Sequence, residues 1–216
     1  MKTILVLGAD SFLGWNVALT LSNNHNVVCV DNYSKRDILR ANNIKCYNKY
    51  PEIQQKLCNN NLRFEYGDIF DNDFMKILLT TYQFDYIINF IQQKSNNFAI
   101  QNVNTINYTT NLNVQSIMQT LNLVKAYSPR SVFIDNIILN GTNTFYFATK
   151  KCGNDYMKFF SEKFNLKTIT INLGIPYGLK LTKFPQPLFY GRIEYDNFFG
   201  TLINKLFVMI TNNETI

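Results

Sequence analysis

The first thirty-one residues constrain the fold of this chain more than any other stretch. Thr3–Leu7 is a short, β-rich apolar run that stops at Gly8. A helical pattern follows from Leu13 to Leu21, with Trp15, Val17, Leu19 and Leu21 among its apolar positions. "NNHN" makes a turn, and Val27–Val30 is a second buried run ending at Asp31. Two continuous apolar strands joined by one helix are the signature of a parallel pair with a crossover connection. Such strands bury both faces, so the chain must place helices on both sides of its sheet.

The alternation continues. "LRFEYGDI" (62–69), "FDYIINFI" (84–91), "RSVFIDNI" (130–137) and "LKTITINL" (166–173) read as four further strands. Asp73–Thr81, Asn104–Tyr127 and Phe145–Phe164 read as the helices between them. The expected fold class is α/β, a doubly wound parallel sheet (Rossmann fold) over residues 1–175. After "GIPYG" the pattern changes: Pro176, Pro185 and Pro187 mark an irregular stretch before a final helix from about Phe199 to Ile210. Residues 176–216 are expected to form a truncated C-terminal substrate lobe.

Composition excludes several classes. With 46% hydrophobic and 17% charged residues, the chain can bury a core and does not read as disordered. Its net charge of +6 is spread along the sequence with no one-sided basic stripe, so no nucleic-acid partner is expected. Cys29, Cys46, Cys58 and Cys152 show no CxxC or metal-like spacing, and His25 is the one histidine. Free thiols in a reducing compartment, with no metal, follow. The opening "MKTILVLGAD" is too short for a signal-peptide core and nothing else is long enough to span a bilayer, so a soluble, cytoplasmic protein is expected.

"LGADSFLGW" (7–15) lies between strand and helix, where backbone N–H groups and a helix N-terminus can meet a pyrophosphate. Gly8 and Gly14 are its glycines; Ser11 takes the middle position and can still hydrogen-bond a phosphate. Asp31, seventeen residues beyond Gly14 at the tip of the second strand, suits both ribose hydroxyls and favours NAD over NADP. Lys35 and Arg36 leave NADP open. "YGDIFD" (66–71) adds an acidic turn suited to an adenine edge. Downstream, Tyr146 and Lys150 sit four apart, one helical turn on the same face. An ammonium beneath a phenol lowers its pKa and can make it a general base near neutral pH.

Taken in order, these motifs resemble the extended short-chain dehydrogenase/reductase family, which holds the nucleotide-sugar epimerases and dehydratases. "FLGWNVALTLS" (12–22), "VVCVDNYSKRD" (27–37), "INFIQQKS" (88–95), "FYFATK" (145–150), "IPYGLK" (175–180) and "RIEYDNFFGTLINKLF" (192–207) look like its UDP-sulfoquinovose synthase branch, the enzymes of sulfolipid biosynthesis. The resemblance implies a reaction of UDP-glucose and sulfite through a 4-keto sugar, with NAD as cofactor. It makes Tyr146 the base and Lys150 the residue that tunes it and holds the nicotinamide ribose. Gly8, Ser11, Gly14, Asp31, Asn32, Arg36, Asp68, Ile69 and Gln92 would line the cofactor, together with Tyr146 and Lys150. Asn113 falls at a structural asparagine of the long helix. Arg192, Tyr195, Thr201 and Asn204 would face the UDP end of the sugar substrate. The family pairs through helices that here are Asn104–Tyr127 and Phe145–Phe164, so a homodimer or a complementing subunit is a possible assembly.

Three departures bear on catalysis. Asn136 stands where the family has a Ser or Thr hydroxyl beside the tyrosine; an amide there is neither acid nor base near neutral pH. Loss of one hydrogen bond at a reacting oxygen costs on the order of ten- to a thousandfold in rate. Phe145 follows Gly141 by four positions, where relatives carry a long loop, and Phe147 replaces a histidine. The chain also ends where the substrate lobe is expected to continue. Two readings follow: an NAD-dependent nucleotide-sugar enzyme, or a catalytically degenerate binder of NAD and nucleotide sugar. Related epimerase or dehydratase chemistry without sulfite is an alternative to the first.

Overall fold

A computed structural model of the chain describes residues 1–44, 54–55, 58, 60–138, 143–178, 193–196 and 199–213. Its strands are β1 (Thr3–Leu7), β2 (Asn26–Asp31), β3 (Leu62–Tyr66), β4 (Tyr86–Asn89), β5 (Val132–Ile138) and β6 (Lys167–Leu173). They form one parallel sheet in the order β3-β2-β1-β4-β5-β6. This is the doubly wound sheet that the alternating pattern predicts. The strand order reverses between β1 and β4, which opens a crevice at their carboxyl ends.

The side-chain period of two divides each central strand between two cores. Leu5, Leu7, Val28 and Val30 face one layer, against Met75, Leu79, Ile117, Leu121, Met157 and Phe160. Ile4, Val6, Val27 and Cys29 face the other, against Trp15, Ala18 and Leu19. The first layer is made by α3 (Asn72–Tyr82), α6 (Ser116–Tyr127) and α7 (Phe145–Phe164), the second by α1 (Phe12–Leu21). Each fully buried Leu, Ile or Phe contributes on the order of 1.5–3 kcal/mol relative to an exposed one. β6 differs from the central strands: Ile169 and Ile171 on this edge strand are about half exposed.

The remaining helices are α2 (Ser34–Ala41), α4 (Asn96–Ala99), α5 (Val103–Thr110) and α8 (Leu202–Thr211). Neither α2 nor α4 is evident from periodicity, because both are short. The strand expected over 84–91 is confined to Tyr86–Asn89, where it finds partners in β1 and β5. The helix expected from about Phe199 begins at Leu202, after a turn in which the Phe199 N–H bonds the Asp196 side chain. The long helix expected over Asn104–Tyr127 is helical but widens into a π turn at Asn111–Gln115. Asn113, fully buried in that turn, accepts from the Gln93 N–H (2.8 Å) and donates to the Gln93 carbonyl and the Thr149 hydroxyl (both 2.9 Å). One amide thereby ties the loop after β4 to α7. Gly153 of α7 allows the approach, since a Cβ there would lie 2.8 Å from the Asn113 carbonyl oxygen.

Candidate functional site

The crevice is built around the first turn. Gly8 has φ +71°, and a Cβ on it would lie 2.7 Å from the backbone of Phe90 and Ile91. A glycine is needed on both counts. Ser11 caps α1: its hydroxyl donates to the Gly8 carbonyl at 2.7 Å and accepts the Gly14 N–H at 3.0 Å. The middle residue of the turn therefore closes the turn on itself. At the tip of β2, the Asp31 carboxylate accepts the N–H of Asp10 (2.8 Å) and of Tyr33 (2.7 Å). These bonds fix its orientation and hold Tyr33 at φ 58°.

An open cleft of about 270 Å³ lies beside this turn, lined by Gly8, Ser11, Asp31, Asn32, Asp68, Ile69 and Gln92 among others. The structure thus gathers seven of the predicted cofactor residues around one space. Asn32 donates to the Asp68 carboxylate at 2.8 Å, and Asp68 also accepts the Phe70 N–H, so the two predicted polar residues position each other. Tyr108, Asn111 and Leu112 line the cleft from the long helix, a contribution that sequence motifs did not reveal. Burial raises the Tyr108 phenol above the usual tyrosine range, against a bond from the Ser34 side chain that lowers it.

Arg36 does not line the cleft. It is buried and forms a two-point ion pair with Asp10, Nε to Oδ2 and Nη2 to Oδ1, each at 2.6 Å. Gln54 adds a third bond to Asp10 at 2.9 Å. Gly14 packs inside α1, behind the turn. Lys35 does reach the cleft, and its ammonium lies 2.5 Å from the Glu194 carboxylate. Both cations that left NADP open at the sequence level are engaged by carboxylates.

Tyr146, Lys150 and Asn136 meet at the carboxyl end of β5, outside the residues that line the cleft. α7 places Tyr146 and Lys150 on its buried face, as their spacing predicts. Lys150 is fully buried, with its Nζ 2.6 Å from the Asp135 carboxylate. Asp135 also accepts from the Asn89 amide at 3.0 Å. The Tyr146 hydroxyl accepts the Ile138 N–H and donates to the Gln92 side-chain Oε1, each at 3.1 Å. Gln92 donates onward to Asn136 (3.1 Å), and Asn136 to the Asn89 carbonyl (2.8 Å). Burial pushes the Tyr146 phenol far above its ordinary pKa; the Ile138 N–H opposes that shift, and the Asp135 charge adds to it. In this arrangement the phenol is protonated at neutral pH, and the lysine faces an aspartate. A buried acid within the apolar "VFIDNI" strand signals a cation partner, and Lys150 is it.

Of the predicted substrate residues, Arg192 lies outside the described residues. Tyr195 precedes a turn in which the Gly200 N–H bonds the Asp196 carbonyl. Thr201 begins α8, and Asn204 accepts the Gly178 N–H at 2.8 Å. Thr201 Oγ1 and Asn204 Nδ2 are buried without hydrogen-bond partners. This segment docks on the crevice: Glu194 contacts Lys35, Lys94 and the Phe12 N–H, and the Phe199 ring lies 5.7 Å from that of Phe98. Glu194 and Lys94 have no local sequence signal, since their contact joins residues a hundred positions apart. Among the described residues no group of His, Cys, Asp and Glu is placed to hold a metal, and no helix is long and apolar enough to cross a membrane.

The sequence profile of the NAD dependent epimerase/dehydratase family matches residues 4–192. UDP-sulfoquinovose synthase of Sulfolobus acidocaldarius is 24% identical over 94% of this chain, and the chloroplastic UDP-sulfoquinovose synthase of Spinacia oleracea is 23% identical over 96%. The chain spans 61% and 51% of the length of these two relatives. Among solved structures, the fold is similar to UDP-glucose 4-epimerase from Brucella ovis in complex with NAD (TM-score 0.64, 15% identity, 80% of this chain and 51% of that one). It is also similar to UDP-glucuronic acid 4-epimerase from Bacillus cereus in complex with NAD (TM-score 0.63, 18% identity, 82% and 57%).

Proposed function

The chain belongs to the NAD dependent epimerase/dehydratase family, and on that premise we propose that it binds NAD and a nucleotide sugar as a protein of the UDP-sulfoquinovose synthase type. The observation that carries this reading is the cleft: Gly8 provides close backbone approach at its floor, and Asp31, Asn32 and Asp68 give it an acidic, hydrogen-bonding rim. These residues fit the adenosine side of NAD. A Cβ at Gly8 would collide with the backbone of Phe90 and Ile91, so glycine lets the turn close against the loop after β4 and shape the cleft, and the Asp31 carboxylate suits two ribose hydroxyls. Bound NAD supplies a reversible hydride acceptor. Residues 176–216 would belong to a substrate lobe, with Arg192, Tyr195, Thr201 and Asn204 assigned to the UDP end of a sugar nucleotide. The orphaned Asn204 amide and Thr201 hydroxyl support that role, because buried polar groups without partners are rare and mark an absent one.

The chemistry would require Tyr146 to take the proton of a sugar hydroxyl. For that its phenol must leave Gln92, and Lys150 must approach it from Asp135. A continuous chain of internal bonds through Asp135, Asn89, Asn136, Gln92 and Tyr146 opposes both moves. This observation favours a second reading, in which NAD and the nucleotide sugar bind and no turnover follows from this chain alone. Calorimetric titration with NAD tests the shared premise; micromolar binding is expected, and no heat at any concentration would end both readings. Chromatography of an incubation with UDP-glucose, sulfite and NAD separates them. UDP-sulfoquinovose carries the first, and bound cofactor without product carries the second.

A further inference from the structure

One carboxylate at the head of α1 is used by neither reading. Glu194 is only 4% exposed. Its Oε1 accepts the Phe12 N–H at 3.2 Å and the Lys35 ammonium at 2.5 Å, and its Oε2 accepts the Lys94 ammonium at 2.9 Å. Three donors from three separate segments converge on it, and Glu194 itself lies 182 positions beyond Phe12. Phe12 is the first residue of a ten-residue helix, where free N–H groups and the helix dipole favour an anion. Three other donors of the turn are closed locally: the Ser11 N–H on the Gly8 carbonyl, the Gly14 N–H on Ser11, and the Trp15 N–H on the Ser11 carbonyl. The Phe12 N–H instead meets Glu194.

We propose that Glu194 is a built-in substitute for a phosphate: it holds the cationic site formed by Phe12 N–H, Lys35 and Lys94 until a dinucleotide's diphosphate displaces it. The inference rests on the dinucleotide reading above and adds an exchange step to it. Two ammonium groups and a helix N-terminus with little access to water need a counter-charge. One carboxylate supplies a single negative charge, whereas a diphosphate supplies two, with more acceptor oxygens. The exchange therefore favours the ligand once it reaches the site. Phe199 moves with Glu194, because it packs its ring under the Lys35 ammonium at 5.0 Å and against Phe98. In the docked segment Thr201 Oγ1 and Asn204 Nδ2 are buried without hydrogen-bond partners. Cofactor binding is thereby coupled to the position of residues 193–196 and 199–213, and apparent affinity scales with the fraction of molecules in which the site is free.

The test uses the full chain, its Glu194→Gln variant, which keeps the shape and removes the charge, and Glu194→Asp, which keeps the charge on a shorter arm. NAD and, separately, inorganic pyrophosphate are titrated by calorimetry. Chymotrypsin cleavage at Tyr195 and Phe199 is followed with and without NAD. Glu194→Gln should bind both probes at least tenfold more tightly than wild type, with Glu194→Asp between them. Wild type should become more readily cleaved in 193–213 when NAD is present. Should Glu194→Gln misfold, the Asp variant and the wild-type cleavage pattern still decide. Equal or weaker binding by the variants, or cleavage unchanged by NAD, overturns the exchange while the cofactor reading stands. Absence of NAD binding by every protein, with pyrophosphate also unbound, removes both.

Discussion

The two ends of one crevice are built in opposite ways. At the carboxyl ends of β1, β2 and β3, the polar residues leave a cleft of about 270 Å³, and Asp31, Asn32 and Asp68 are oriented by bonds to near neighbours. At the carboxyl ends of β4 and β5, Asn89, Gln92, Asp135, Asn136, Tyr146 and Lys150 satisfy one another with no ligand needed. The first is a receptor with its shape already set. The second is a closed polar core, and such a network is stable because every member is paired. A Tyr-xxx-Lys pair thus records which face of a helix is buried, while its neighbours decide its protonation.

The largest expected effect strikes the closed end. Asp135→Ala leaves Lys150 as an uncompensated buried cation, which should cost about 3–5 kcal/mol of stability by urea denaturation. A loss below ~1 kcal/mol would mean that the ion pair does not hold this end shut, and the comparison would break. Asp31→Ala strikes the open end. It removes two charge-assisted bonds, from the Asp10 and Tyr33 N–H groups, each worth about 1.5–3 kcal/mol. NAD affinity should drop tenfold or more in calorimetry, and unchanged affinity would show that the acid at the β2 tip does not touch the cofactor.

Tyr146→Phe sharpens the contrast. Losing the bonds to Ile138 and Gln92 should cost about 1 kcal/mol, with NAD binding retained. A large loss of NAD affinity would instead tie the phenol to the ligand. The smallest effect is on pH. Burial raises the phenols of Tyr33, Tyr108 and Tyr146 above their ordinary value. A phenol raised in the folded state contributes stability that is complete below the unfolded tyrosine pKa of about 10 and is lost as pH climbs above it. In an ultraviolet titration these three of the thirteen tyrosines should ionise only as the fold gives way. Early ionisation of all thirteen would show that the second end is open to water.

How much of this was legible from residues alone depends on the range of the contacts involved. The strands, their parallel pairing and the place of the crevice follow from local alternation of apolar runs with helical periods, which is a short-range property. So does the buried face shared by Tyr146 and Lys150, whereas the need for glycine at position 8 also reflects the backbone of Phe90 and Ile91, far along the chain. Helices of four to eight residues, such as Ser34–Ala41 and Asn96–Ala99, span too few turns for a period to be read. The π turn at Asn111–Gln115 was hidden too, because Asn113 finds its partners in Gln93 and Thr149, twenty and thirty-six positions away.

Sequence therefore determined which chemical groups arrive at the crevice. Tertiary structure alone decided whom each group binds there: Arg36 turns to Asp10, Lys150 to Asp135, and the head of the first helix to a carboxylate from the far end of the chain. The physical reason is that a buried charge takes whichever opposite charge folding brings nearest, and that proximity depends on the whole path of the backbone rather than on spacing along it.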